Sequence, residues 1–275
     1  MRCSLASVNG IDLAYTIAGA GPPLVLVHGF ACGRRMWVHQ LRDLARDHTV
    51  IAYDQRGHGL SGAPERAEGY SPGHLGRDLA GLLDHLGIER CHLVGFSLGG
   101  GPALGFALAK PERVASLVLA DVGAGAESPM LMTSTARRWG MVGRESGAEV
   151  LAEEMLRGEF FKAYASRDPR ARCHMRALIR STPLHGVLHT LSEVLAKRTS
   201  LFRMTGALRG LRVPTLVLRG DADQVCRAAS KLLATTIPGA RELTLAGIGH
   251  MAPLEAPAAF NAAVREHAGR HPIGG

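Results

Sequence analysis

The sequence predicts an α/β fold with a mostly parallel central sheet, and three observations carry that reading. Short, mostly apolar runs ending at glycine or charged turns recur along the chain. Leucines at helical spacing fall between them, and 34 glycines with 14 prolines supply many sharp turns. The 275 residues, 46% hydrophobic and 20% charged, suffice for one large core, which excludes disorder, collagen-like repeats and coiled coil as the main architecture.

The elements follow in chain order. Leu5, Val8, Ile11, Leu13, Tyr15 and Ile17 alternate loosely around Asn9-Gly10, which predicts a β-hairpin. The runs 23–27, 49–53 and 91–95 are too short for helices and mostly apolar, the pattern of strands buried on both faces. Leu75, Leu79, Leu82, Leu83 and Leu86 mark an amphipathic helix, with Ser71 placed to cap it, Pro72 in its first turn and Gly87 just past its end. The runs 114–120 and 213–218 repeat the buried-strand pattern, 241–245 forms a last strand, and 258–268 a closing helix after Pro257. From 125 to 205 no strand-like run occurs. Val150, Leu151, Met155 and Leu156, then Met175, Leu178 and Ile179, then Val187, Leu188, Leu191, Val194 and Leu195 have helical spacing. The expected organisation is one core domain, 1–124 with 206–275, and a helical cap inserted at 125–205 over one end of the sheet.

Composition narrows the function classes. The net charge of +8 invites acidic partners, yet the basic residues are mostly scattered arginines and aromatics are only 5%, so nucleic acid is not expected as a partner. The longest uncharged run, 93–109, holds five glycines and Pro102 and reads as strand, turn and helix instead of a membrane span. The first residues lack an apolar stretch of signal-peptide length, and a cytoplasmic protein without a membrane partner is expected. Five cysteines, an odd number with no C-x-x-C pair and no shared spacing with histidine, predict reduced thiols, no metal and no cofactor. The oligomeric state is left open.

Chemistry concentrates at Gly95-Phe96-Ser97-Leu98-Gly99-Gly100, between a predicted strand and a helix predicted over 98–110. This is the setting of a G-x-S-x-G turn, in which a serine on a tight strand-to-helix bend needs neighbours without Cβ atoms. Its hydroxyl stands at a helix N-terminus, where the Leu98 N–H and the dipole stabilise a developing oxyanion. Serine needs a base, and the base needs an orienting group. His250, after the last strand, has the order and context for the base, and the run Gly220-Asp221-Ala222-Asp223 follows a strand and offers two acids.

With these motifs the chain resembles the α/β-hydrolase superfamily over nearly its whole length outside the cap. Val27-His28-Gly29-Phe30 is similar to that family's oxyanion loop, and Asp54-Gln55-Arg56-Gly57-His58-Gly59-Leu60-Ser61 to its D-x-R-G-x-G-x-S segment. Val213-Pro214-Thr215-Leu216 is similar to the strand leading to the acid. The resemblance implies Ser97 as nucleophile, His250 as base, Asp223 as acid with Asp221 and Asp121 as alternatives, and the N–H groups of Phe30 and Leu98 as oxyanion hole. It implies a serine hydrolase of a small carboxylic ester or lactone, working through an acyl-enzyme. C–C bond hydrolysis and cofactor-free perhydrolysis share the same machinery, and a non-catalytic small-ligand receptor is the reading from another class.

Other conspicuous residues have plainer readings. His28 braces its loop, and Asp54, Arg56 and His58 are expected to be mutual hydrogen-bond partners behind it. Cys32 is an inert thiol, and Met36, Trp37 and Trp139 are core more than pocket. His174, His185 and His189 are solvated or satisfied helix residues. Arg172, Arg176 and Arg180 recur every four residues and form a solvated helix face.

Overall fold

The computed structural model describes residues 2–123 and 129–274. Eight strands form one sheet in the order β1-β2-β4-β3-β5-β6-β7-β8: β1 Ser4–Val8, β2 Ile11–Ala18, β3 Pro23–Val27, β4 Thr49–Tyr53, β5 Cys91–Phe96, β6 Val114–Ala120, β7 Thr215–Gly220 and β8 Arg241–Leu245. β1 and β2 pair antiparallel, as do β2 and β4, and every later pairing is parallel. The hairpin turns at Asn9 and Gly10, both at positive φ (49° and 76°), the conformation that an Asn-Gly pair accepts most readily.

The helices are α1 Val38–Asp43, α2 Pro72–His85, α3 Gly100–Ala109, α4 Pro129–Arg157, α5 Lys162–Ala165, α6 Pro169–Arg180, α7 Leu184–His189, α8 Thr205–Gly210, α9 Arg227–Thr236, α10 Ala252–Glu255 and α11 Pro257–Gly269, with a π-helical turn over Thr190–Leu195. Ser71 caps α2 as its sequence predicts, its Oγ accepting the His74 N–H at 3.1 Å. Two apolar layers sandwich the sheet. One joins Leu79, Leu82 and Leu83 of α2 to Val25, Ile51 and Leu93. The other joins Leu24, Leu26 and Val94 to Trp37, Phe260 and the helices that follow β6.

Between β6 and β7 every described regular element is a helix. α4 breaks at Gly147, whose φ of 79° interrupts the helix. Met155, Met175 and Ile179 bury their side chains in the layer that also holds Phe30 and Phe96. The expected cap boundary at 124 and 125 lies outside the described residues. The arginine face is not merely solvated. Arg172 and Arg176 pair with Glu153 and Glu149 of α4, and Arg180 Nε lies 2.9 Å from Glu149, so half-exposed charges tie α6 to α4.

The charged turn after β4 also departs from expectation. Asp54 pairs with Arg34 and accepts the Leu60 N–H at 2.9 Å, while Arg56 turns away to make two bonds to Asp78 of α2, at 2.8 and 2.9 Å. They are not mutual partners, because each finds its charge partner on another element, Asp54 on Arg34 and Arg56 on Asp78 of α2. Only His58 bonds within the trio, its Nδ1 meeting the Arg56 carbonyl at 3.0 Å.

Candidate active site

The carboxyl ends of the parallel strands gather three side chains. Ser97 follows β5 with φ 52°, a left-handed conformation rare for a residue with a Cβ and held only where the surroundings enforce it. The enforcement is steric. A Cβ on Gly99 would stand 2.2 Å from the Val27 carbonyl oxygen, and one on Gly95 would stand 2.7 Å from the Gly99 carbonyl oxygen and from the Ala103 Cβ. The bend therefore exists only with glycine on both sides of Ser97, and it leaves the hydroxyl standing over the sheet at the start of α3.

The Ser97 Oγ lies 3.0 Å from His250 Nε2, and His250 Nδ1 lies 2.8 Å from Asp223 Oδ2. Both His250 and Asp223 are buried at 4% exposure, which keeps their pairing out of competing water. With Nδ1–H donating to the carboxylate, Nε2 is left as the acceptor for the serine proton. Burial alone would raise the Asp223 carboxyl, but the facing His250 and the bonds to Cys226 outweigh it and hold it below the usual carboxylate range.

The two rival acids do other things. Asp221 is exposed and accepts the Gly247 N–H at 2.7 Å, bracing the neighbouring loop. Asp121, fully buried at φ 48°, accepts the Gly220 N–H at 3.0 Å. Burial first and the charge of Asp223 second push its carboxyl well above the ordinary range, which favours its neutral form behind Asp223.

Phe30 and Leu98 line the same small cavity as Ser97 and His250, about 40 Å³ in volume, walled by Trp139, Phe160 and Phe161 of the helical segment. Phe160 packs edge-on to the His250 ring at 4.9 Å, and Trp139 stacks on Phe30 at 6.1 Å. Trp139 thus faces the cavity, whereas Met36 and Trp37 are fully buried core. Cys32 also borders the cavity, but burial pushes its thiol up to about 12, which leaves it unreactive near neutral pH. His28 receives the Gln55 N–H on Nε2 at 2.8 Å, its Nδ1 meets the Gly29 carbonyl at 2.7 Å, and burial lowers its pKa to about 4. It is a neutral brace of the loop that carries Phe30. His185 and His189 bond to the Ala63 and Glu65 carbonyls, and His174 meets the Tyr164 hydroxyl at 3.0 Å.

Two contributors were not visible in the sequence reading. The buried Glu255 carboxylate accepts the N–H groups of Gly249 and Met251, each at 3.0 Å, clamping the backbone on either side of His250. The signal was a carboxylate one helical turn beyond the histidine, after Pro253. Cys226 lies beside the pair, its Sγ 3.6 Å from His250 Nδ1 and its N–H donating to Asp223 Oδ1 at 3.2 Å. Asp223, Cys226 and His250 are the one cluster of metal-ligating types among the described residues. Its carboxylate and imidazole are already satisfied by each other, an arrangement suited to moving a proton.

A family model described as the alpha/beta hydrolase fold matches residues 22–143. The chain is 31% identical over 242 residues, 87% of its length and 90% of the relative's, to a protein of Pseudomonas savastanoi pv. phaseolicola named "Putative carbamate hydrolase RutD". Among solved structures, a thermophilic esterase from Thermogutta terrifontis superposes with a TM-score of 0.87 at 31% identity, over 99% of this chain and 100% of that one. The enol-lactonase from Burkholderia xenovorans LB400 superposes with a TM-score of 0.85 at 28% identity, over 96% and 99%.

Proposed function

The chain belongs to the α/β-hydrolase family, and on that footing we propose that it is a serine hydrolase of small carboxylic esters or lactones. The observation that carries the reading is the continuous relay from Ser97 through His250 to Asp223, at 3.0 and 2.8 Å, built on a serine held at positive φ.

In this mechanism His250 Nε2 takes the Ser97 proton as Oγ attacks the substrate carbonyl, and the carboxylate of Asp223 steadies the imidazolium that forms. The N–H groups of Phe30 and Leu98 receive the oxyanion. Collapse breaks the C–O bond, and the alcohol leaves with the proton returned by His250. Water, activated by the same imidazole, then releases the acid and restores Ser97. The segment 125–205 acts as a cap: Trp139, Phe160 and Phe161 wall the cavity and exclude bulk water. The esterase and enol-lactonase relatives support both substrate classes.

The partner in this reading is a small molecule, and the protein works in the cytoplasm. In support, no disulfide forms among the described residues. No described helix is long and apolar enough to cross a membrane.

A panel of activated esters and lactones tests the reading. Turnover is expected with the native chain and is lost in Ser97→Ala at unchanged circular dichroism, and a fluorophosphonate adds its mass to Ser97 alone. A folded Ser97→Ala variant that keeps full activity, or a single acylation without turnover in the native chain, overturns it.

A further inference from the structure

A second cavity, about 430 Å³, is lined by Ser97 but not by His250. It runs between α2, α3 and residues 194–204, and its walls are mostly apolar, Leu75, Pro102, Leu104, Val194, Leu201 and Met204, with Arg198 and Thr199 the polar members besides Ser97. Four helical glycines, Gly73 and Gly76 of α2 and Gly101 and Gly105 of α3, also line it, and the last three have open space beside them. Within a helix each glycine is about 1 kcal/mol less favourable than alanine. None of the three is at positive φ, and a Cβ built on any of them meets nothing within 4 Å. Neither backbone conformation nor packing accounts for them. What they share is this cavity, into which longer side chains at the same positions would project.

Ser97, Leu98 and Arg198 line both cavities, whereas His250 lines only the small one. The imidazole must protonate the departing oxygen, so the leaving group has to sit on its side, in the cavity of about 40 Å³. The rest of the substrate, attached to the carbonyl carbon, then extends the other way. We infer that the glycine-lined cavity is the acyl arm of the site and that it selects an unbranched aliphatic acyl chain carried on a small alcohol. The inference rests on the ester-hydrolase reading above. No new bond chemistry is involved: the acyl carbon joined to Ser97 Oγ carries its alkyl chain into this cavity while the alcohol leaves beside His250.

Two substrate series separate the arms: methyl esters from methyl acetate to methyl octanoate, and n-alkyl acetates of matching length, with kcat/KM followed by acid release. In the methyl series kcat/KM is expected to rise by about two- to fourfold per added methylene, as apolar burial requires, while the alkyl acetates stay flat or fall. Gly105→Leu, and independently Gly76→Leu from the opposite wall, should lower the octanoate-to-acetate ratio by about tenfold or more, roughly two or more buried methylenes' worth. Gly206→Leu, an exposed helical glycine outside the cavity whose added Cβ also meets nothing, should leave the ratio unchanged. Circular dichroism checks each fold. Growth with alcohol length instead of acyl length, no dependence on either, or an unaltered ratio in both folded glycine variants overturns the inference and leaves the ester-hydrolase reading standing. If no ester of either series turns over and the fluorophosphonate misses Ser97, the hydrolase reading falls and the acyl arm falls with it.

Discussion

The sheet edge that carries Ser97, Asp223 and His250 and the helical segment 129–204 face one another across the same small cavity, yet they are held by different means. At the sheet edge single atoms decide. Gly95 and Gly99 permit the bend at Ser97, Glu255 clamps the two N–H groups beside His250, and buried pairs such as Arg56 with Asp78 fix the surrounding loops. In the helical segment many weak terms add up: apolar side chains at helical spacing, and half-exposed pairs between α4 and α6. The difference teaches where change is tolerated. Chemistry needs positions fixed to fractions of an ångström, whereas a wall that shapes a cavity can be repacked.

The largest effect that would break this contrast lies at Asp223, the proposed acid. Asp223→Asn should lower kcat by about four orders of magnitude, because the amide reverses the tautomer His250 needs. Asp221→Asn should change kcat by less than about twofold, as expected of an exposed brace. Asp121→Asn should cost no more than a few-fold, since an amide resembles the neutral carboxyl that burial favours there. Steady-state kinetics on the three variants measures this. A severe loss in Asp121→Asn with a mild one in Asp223→Asn would move the acid to the end of β6.

The next effect concerns Glu255, which lines neither cavity at Ser97 and clamps the backbone beside His250. In Glu255→Gln one acceptor oxygen becomes an amide donor facing an N–H group, so the turn at His250 should shift. A drop in kcat of about a hundredfold is expected with little change in KM, since displacements near 1 Å have that consequence. An equal change in both constants would place Glu255 in substrate binding instead.

Acid should separate the two regions as well. The imidazoles of His28 and His58 behind the site are fully buried, and burial lowers them to about 4 and about 3. Between pH 6.5 and about 4 the unfolded chain binds protons at these positions that the folded chain refuses. Their stabilisation is therefore complete above pH 6.5 and is lost as the pH falls through that window. The thermal midpoint should drop by about 5 °C or more from pH 7.5 to pH 5, and His28→Gln should flatten the dependence. A profile that is level across the window would contradict it.

The smallest effect is expected in the helical segment. Changing Arg172, Arg176 and Arg180 together to Gln removes ion pairs whose arginines are 43–55% exposed, each worth at most about 1 kcal/mol. kcat/KM should be unaffected for neutral and for carboxylate-bearing esters alike, with a slightly lower thermal midpoint. A selective, salt-sensitive loss of about tenfold on the anionic ester would show that this face steers substrate.

What the sequence determined by itself is local: the Asn-Gly hairpin, the Ser71 cap, the buried strands and above all the bend at Ser97. Each is specified by residues a few positions apart, through backbone conformations that only certain neighbours allow. What it left open depended on distant partners. Asp121, Asp221 and Asp223 all sit just past strand ends and are alike in sequence context. Only the packing that brings His250 to within 2.8 Å of Asp223, 27 positions away, and within 3.0 Å of Ser97, 153 positions away, singles out Asp223 as the proposed acid. Arg56 found Asp78 instead of Asp54 for the same reason, and Gly76, Gly101 and Gly105 became the lining of one cavity only when α2 and α3 were laid side by side. A side chain's partner across the fold is set by how helices seat on the sheet, which depends on the whole core and on no single stretch of chain.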